Sequence, residues 1–198
     1  MGRLCVGKLI CMSGGAGSGK TTTVTLLSYW LRGLGVSVGT IQEVARSVIK
    51  DMGFDRLKEI EENKLYDKFQ RLILKKQMQM ESEFTDKYAI TIADRATSDN
   101  LAYFLLNAEC FGRDKADYIN RALQNTHNYT INYYLAPHNR GVIDDGFRII
   151  DEEYNKSEDL LIKQLVLGSK NSAEVQGDSI EERLSWLKED LYKRNIIN

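Results

Sequence analysis

Apolar residues occur along this chain in two rhythms. Short, nearly continuous apolar runs alternate with longer stretches in which apolar positions recur every three or four residues. The runs are residues 8–13 (KLICMS), 36–42 (VSVGTIQ), 88–94 (YAITIAD), 129–136 (YTINYYLA) and a weaker one at 172–177 (SAEVQG). Runs of this length suit strands buried on both faces. Between them the spacing predicts helices. In residues 21–35, Val24, Leu27 and Leu31 share a face, and Gly33 and Gly35 end the helix. Further helices are expected from residue 43 to near Gly53, over 57–84 with a break near Asn63, over 99–109 and over 115–124. Two more are expected over 151–168, ended by Gly168, and over 179–194. Ser179 stands three residues before Glu182, the pattern of a capping box. Strands alternating with helices predict an α/β fold, a three-layer sandwich of about five mainly parallel strands with helices on both faces.

Composition bounds this picture without redirecting it. The chain has 198 residues, enough for one domain with a sizeable core, and residues 1–198 read as a single domain with no repeat or linker. Lys and Arg total 27 and Asp and Glu total 28, which argues against a generally basic nucleic-acid coat. Cys5, Cys11 and Cys110 show no metal-ligand spacing and read as reduced thiols. His127 and His138 read as surface residues, with no metal-ligand company. No apolar run approaches the roughly 20 residues of a membrane span, so no membrane partner is expected and the expected compartment is the cytoplasm. The oligomeric state is left open, a homo-oligomer included.

The strongest chemical signal is CMSGGAGSGKTTT, residues 11–23. Gly14-x-x-x-x-Gly19-Lys20-Thr21 fits the phosphate-binding P-loop pattern and lies between an apolar strand and a helix, where such a loop belongs. Its glycines let backbone amides close around phosphate oxygens, and the following helix adds donors and a favourable dipole. Gly14, Gly15, Ala16, Gly17, Ser18, Gly19, Lys20, Thr21 and Thr22 are therefore the candidate nucleotide contacts. Lys20 should reach the β and γ phosphates, and Thr21 should ligate Mg²⁺. ATP and Mg²⁺ are the expected cofactors, with GTP not distinguished as donor.

A GTPase switch would need Asp-x-x-Gly after the third strand, but the chain reads ADRATSDN there. NKSE at Asn155 nearly matches a guanine-binding motif, but it ends in Glu158 and lies inside a helical pattern. A small P-loop kinase fits better. QEVAR after the second strand, FQRLILKKQMQME in the long helix, ADRATSDNLAY after the third strand and DDGFRIIDEEY further on resemble the nicotinamide riboside kinase domain of the NadR type and the related group of small P-loop ATPases and kinases. The resemblance spans Lys8 to about Lys193. It implies a kinase module standing alone, of nucleoside- or nucleotide-kinase-like fold.

On the acceptor side, ligands of open α/β sheets bind outside the carboxyl ends of the strands. Glu43, after the second strand, is the first choice of general base, as the resemblance to deoxynucleoside and riboside kinases implies. Asp94, at the end of the third strand, is the competing base or a holder of Mg²⁺. Arg95 beside it resembles the arginine of an Asp-Arg pair that touches transferring or acceptor groups. Arg46 shares a helix face with Glu43 and can hold an acceptor phosphate or pair with Glu43. Phe69 and Gln70 resemble a pair that stacks on a base and reads its edge; core packing and solvation are the plainer alternatives. Asp99 can cap its helix or bind the acceptor. Residues 137–150 resemble a lid, with Arg140 and Arg148 closing over the phosphates and Asp145 matching the group's lid motif.

The leading expectation is thus an ATP-dependent phosphotransferase acting on a hydroxyl of a nucleoside-like molecule, nicotinamide riboside-like by resemblance. Two alternatives stand beside it. One is a kinase acting on a modified base or an end in a polynucleotide, with Arg71, Lys75 and Lys76 lining a groove. The other is a non-kinase ATPase switch.

Overall fold

A computed structural model describes residues 7–107, 109, 114–138 and 151–198. Its sheet has five strands: β1 (Lys8–Ser13), β2 (Val38–Ile41), β3 (Ile90–Asp94), β4 (Ile131–Tyr134) and β5 (Ser172–Glu174). They pair in the order β2-β3-β1-β4-β5, and every pairing is parallel. The helices are α1 (Lys20–Gly33), α2 (Val44–Asp51), α3 (Leu57–Glu62), α4 (Tyr66–Lys87), α5 (Thr97–Leu106), α6 (Lys115–Asn125), α7 (Glu152–Leu167) and α8 (Ile180–Lys193). The break expected near Asn63 is present, since Asn63 caps α3 before α4 begins. β1 fills its apolar run, and the other four strands are shorter than theirs. Val36 and Ser37 still belong to the turn after α1, where the Val36 amide bonds the Leu31 carbonyl.

β1 lies at the centre and is buried on both faces, as its unbroken apolar run demands. Alternate side chains of β1 serve separate cores. Ile10 and Met12 join Val24, Leu27 and Leu31 of α1 and Leu187 and Leu191 of α8. Leu9 and Cys11 join the opposite core, built on α2, α4, α5 and α6 through residues such as Val48, Phe69, Leu74, Leu101 and Tyr118. On the same side as α5, α7 packs Ile162 and Val166 against Ala102 and Tyr134. Cys11 is a free, fully buried thiol, and burial pushes its pKa up, so it stays protonated. Cys5 and Cys110 lie outside the described residues.

The capping box at Ser179 is present: Glu182 N donates to Ser179 Oγ, and Ser179 N donates back to Glu182 Oε2. α7 begins on the Asp151 side chain, which accepts from Tyr154 N. No helix among the described residues is long and apolar enough to cross a membrane.

Candidate active site

The phosphate loop joins β1 to α1 at the carboxyl edge of the sheet. Gly14 is required there by close approach: a Cβ on it would stand 2.2 Å from the Leu135 carbonyl oxygen. Gly19 caps α1 in the left-handed region, with φ of 82°, a conformation that costs glycine little. Lys20 curls back over the loop, and its Nζ donates to Gly14 O (2.6 Å), Gly15 O (2.8 Å) and Ser18 Oγ (2.9 Å). Burial pulls the Lys20 amine down to about 8, and the charge of Arg95 acts in the same direction.

Three helices brace the loop from outside. Asp99 on α5 accepts from Gly14 N (3.2 Å) and Ser13 Oγ, and also from Ala96 N at the start of its own helix. Asp159 on α7 accepts from Gly15 N (2.9 Å) and from the Tyr134 hydroxyl (2.7 Å). Arg183 on α8 donates to Ser18 O (2.9 Å) and to Gly177 O (2.9 Å). Carboxylates thus meet outward-facing amides and an arginine meets a carbonyl, so the loop is held by charge-assisted bonds on every side.

The next ring of residues comes from strand ends. The Thr21 hydroxyl donates to Asp94 Oδ2 across 2.5 Å. After Asp94 the chain turns over β1, with Arg95 N bonded to Met12 O (3.0 Å) and Arg95 in a positive-φ conformation of 90°. Glu43 also has positive φ (57°) at the start of α2, and its carboxylate pairs with Arg46 Nε at 2.8 Å. A non-glycine residue in this region is uncommon, and such residues cluster at functional sites.

These residues enclose a cleft of about 330 Å³, lined by Lys20, Thr21, Glu43, Arg46, Asp94 and Arg95 together with Ala16 to Gly19 and Thr22. A second, more apolar chamber of about 100 Å³ adjoins it, lined by Tyr66, Phe69, Gln70, Tyr103, Tyr154 and Glu158 among others. Ala16, Ala45, Arg46, Ile73, Arg95 and Asn100 line both, so cleft and chamber meet.

The electrostatics of the junction centre on Arg95. Its Nη1 lies 3.8 Å from Asp99 Oδ1 and 3.9 Å from Glu158 Oε1, and its guanidinium sits 5.3 Å from the Tyr103 ring centre. Burial acts to lower its pKa, but Tyr103, Glu158, Asp99 and Asp94 together raise it, so the guanidinium stays charged. Glu158 is almost fully buried, which pushes its carboxyl upward against the pull of Arg95 and the Tyr103 hydroxyl bond.

Behind Arg95 stands a second buried carboxylate. Glu81 accepts from Gln77 Nε2 (2.7 Å) and Asn125 Nδ2 (2.5 Å), and the same Gln77 Nε2 lies 3.2 Å from Arg95 O. Burial raises the Glu81 carboxyl to about 7, opposed by its three side-chain donors, Gln77, Asn125 and Tyr129.

Most residues expected from the sequence therefore converge. Ala16 to Thr22, Glu43, Arg46, Asp94 and Arg95 line the cleft, and Phe69 and Gln70 line the chamber. Gly14 and Gly15, also expected as nucleotide contacts, are not among the cleft's lining residues, and their amides bond Asp99 and Asp159 instead. Asp99 lines neither, because its oxygens are taken up by Gly14, Ser13 and Ala96; of its two expected roles, the geometry displays the cap. His138 is not the surface residue expected. It is half-buried beside the loop, with its N bonded to Gly17 O (3.4 Å) and its ring 3.7 Å from where a Gly19 Cβ would stand. Arg140, Asp145 and Arg148 lie outside the described residues, as does most of the expected lid. Of the cations expected to line a polynucleotide groove, Lys76 bonds Asp51 and Ser47, and Arg71 pairs with Asp67. Sequence reasoning missed Gln77, Asn100, Tyr103, Glu158, Asp159 and Arg183.

Two hard oxygen donors, Thr21 Oγ1 and Asp94 Oδ2, stand together at the loop. That donor set suits Mg²⁺, which binds through few protein ligands and completes its shell with water and phosphate oxygens. Among the described residues no cluster of three or more His, Cys, Asp or Glu side chains could hold a metal by itself.

No curated protein matches the sequence. Among solved structures the fold is similar to NadR protein in complex with NR, with a TM-score of 0.61 and 16% identity, covering 93% of this chain and 51% of that one. It is similar to NadR protein in complex with NAD and AMP-PNP, at a TM-score of 0.62 and 13% identity, covering 98% of this chain and 51% of that one. Thymidylate kinase from Candida albicans is as similar, at a TM-score of 0.62 and 18% identity, covering 97% of this chain and 95% of that one. The chain spans about half the length of the two NadR chains it matches. These likenesses are of fold, and they identify the five-stranded parallel sheet and its helices as the α/β fold of P-loop kinases. A family profile described as an AAA domain matches residues 9–183, from β1 through Arg183 on α8. By that match the chain belongs to this AAA domain family (AAA_28).

Proposed function

We propose that the chain is an ATP- and Mg²⁺-dependent kinase that transfers the γ-phosphoryl group to a hydroxyl of a nucleoside-like small molecule, acting as a single P-loop kinase domain over residues 1–198. The observation that carries this reading is the continuity of the two spaces. A phosphate-loop cleft opens through shared lining residues into a chamber walled by Tyr66, Phe69 and Tyr103, where a flat, partly polar acceptor fits. A nicotinamide riboside-like acceptor is the specific form of the proposal. The motif resemblance implies it, and the fold likeness to NadR in complex with NR supports it.

Phosphoryl transfer asks a protein for positioning and charge neutralisation. Lys20 would exchange its bonds to Gly14 O and Gly15 O for phosphate oxygens, and the loop amides would cradle the same group. Thr21 and Asp94 would hold Mg²⁺, which when bound spreads charge off the phosphate oxygens. With Asp94 engaged by Thr21, Glu43 is the carboxylate left to accept the proton of the attacking hydroxyl, steadied by Arg46. Arg95 would bind the acceptor between cleft and chamber. Arg140, Arg148 and Asp145 keep their proposed role as the lid.

The AAA domain family membership favours a second reading, a nucleotide-dependent ATPase switch. One experiment separates the two. The protein is incubated with γ-labelled ATP or GTP and Mg²⁺ against nucleosides, nicotinamide riboside, nucleoside monophosphates and DNA carrying hydroxymethylated bases. Label on a nucleoside-class acceptor supports the kinase reading. Label only on DNA assigns the polynucleotide substrate instead. Label released as free phosphate, with no acceptor labelled, supports the switch.

A further inference from the structure

Where cleft and chamber meet, two buried donors have no hydrogen-bond partner among the described residues: Asn100 Nδ2 and Arg95 Nη1. Asn100 is 6% exposed and lines both spaces. A buried N–H left without a partner is costly, and native structures keep few of them without a reason. Nearby, Glu158 presents the complementary group. Its contacts with the Tyr103 hydroxyl and with Arg95 both fall on Oε1, and the residue lines the chamber.

Unpartnered donors and a carboxylate lining one chamber match one small group best. A hydroxyl accepts from the donors and gives its own proton to the carboxylate. A carbonyl would satisfy the donors and leave the carboxylate facing an acceptor. A phosphate would satisfy the donors too, but it would bring further negative charge to a place already holding Asp94, Asp99 and Glu158 against Arg95 and Lys20.

We infer that this junction is a hydroxyl-binding subsite. Asn100 and Arg95 donate to, and Glu158 accepts from, a sugar-type hydroxyl of the acceptor other than the one phosphorylated. The acceptor is therefore a nucleoside rather than a nucleoside monophosphate. This inference rests on the kinase reading above and goes further, because it names the residues that choose between two acceptor classes. Asn100 is a specificity-determining residue in it.

The test uses the full chain, γ-labelled ATP and Mg²⁺ with adenosine, cytidine, nicotinamide riboside, their 5′-monophosphates, and the 2′-deoxy and 3′-deoxy forms of each riboside. The expected result is label on a riboside and at least about 100-fold lower kcat/KM for the monophosphates. Removal of one of the two sugar hydroxyls is expected to lower kcat/KM about 100-fold, because a site built to bond a hydroxyl rejects the analogue lacking it. In Asn100→Leu the riboside KM rises about 10-fold or more. The KM for ATP stays within about twofold, which shows that the variant folds, and the penalty for the deoxy form largely disappears. Glu158→Gln gives the same reading should Asn100→Leu not fold. Efficient labelling of monophosphates overturns the inference and leaves the kinase reading standing. So does an Asn100→Leu enzyme that keeps the full deoxy penalty, since water would then be what fills the junction. Absence of label on every acceptor removes the kinase reading and the inference with it.

Discussion

The Thr21 hydroxyl is bonded to Asp94 Oδ2, which ties the first turn of α1 to the end of β3. A threonine that follows the loop lysine and a carboxylate that ends a neighbouring strand are thereby brought to one point. Asp94→Asn keeps the shape of that contact and removes the charge. The expected outcome is a Mg²⁺ requirement shifted upward about 10-fold or more, with nucleotide affinity in the absence of Mg²⁺ held within about twofold. Titration of activity against free Mg²⁺ measures it. An unchanged Mg²⁺ dependence would remove Asp94 from the metal site.

Glu43 separates from Asp94 by a different signature. Glu43→Gln should lower kcat about 100-fold or more and leave the KM for ATP unchanged, because a general base acts only on the acceptor hydroxyl. If Glu43→Gln keeps full turnover while Asp94→Asn is inactive even at saturating Mg²⁺, the two carboxylates exchange roles. Steady-state kinetics on the two variants is sufficient.

The Lys20 amine, lowered to about 8, makes nucleotide binding depend on pH. Phosphate oxygens favour the charged amine, so the bound-state pKa lies above 8. Binding at pH 9 must then take up a proton, and affinity must fall as pH rises beyond about 8, by up to roughly tenfold per unit. Calorimetry of AMP-PNP binding at pH 9, in two buffers of different ionisation enthalpy, reads the proton directly. Equal heats in the two buffers would contradict a depressed amine.

Glu81 affects stability in the opposite pH range. Its carboxyl is raised to about 7 in the folded protein, from an ordinary value of 4.5. The folded state therefore holds a proton that the unfolded chain has lost between those values, and the stability contributed by this group declines as pH rises from 4.5 to 7. The full decline is on the order of 3 kcal/mol. Glu81→Gln should flatten that segment of the stability–pH curve, whatever it does to stability at any one pH. Glu158, raised in the same direction, keeps part of the slope in the variant. Urea unfolding at half-unit steps of pH makes the comparison.

The donor half of the site was legible in the sequence because its determinants are local. Gly14, Gly19, Lys20 and Thr21 are contiguous, and the loop's conformation follows from glycine placement after an apolar strand. Glu43 and Asp94 could be found by position, since strand ends in this fold point at the ligand. Of the acceptor half, Phe69 and Gln70 could be named and line the chamber, but the rest could not be found. Asn100, Tyr103 and Glu158 sit on helices where a polar residue beside apolar ones reads as ordinary amphipathic patterning, and only the packing of α5 against α7 turns them inward. Glu158 was in view as the residue that spoils the guanine-like NKSE. That it pairs with Arg95 is a fact of tertiary structure. His138 misled for the same reason: nothing local to it indicates that the chain after β4 passes beside Gly17.

The chamber wall does double duty, and this constrains how the protein can change. Ile49, Tyr66, Phe69 and Ile73 face the chamber and are also members of the buried core on that side of the sheet. Replacing any of them to admit a different acceptor also removes packing from the core, at a cost of about 2–5 kcal/mol for a large-to-small change. The helix that follows the phosphate loop is spared this conflict, since Val24, Leu27 and Leu31 of α1 pack into the core on the opposite face. Divergence toward new acceptors is therefore cheapest at chamber positions outside the buried core, Leu57, Tyr154 and Asn155, while the inner wall stays fixed by folding.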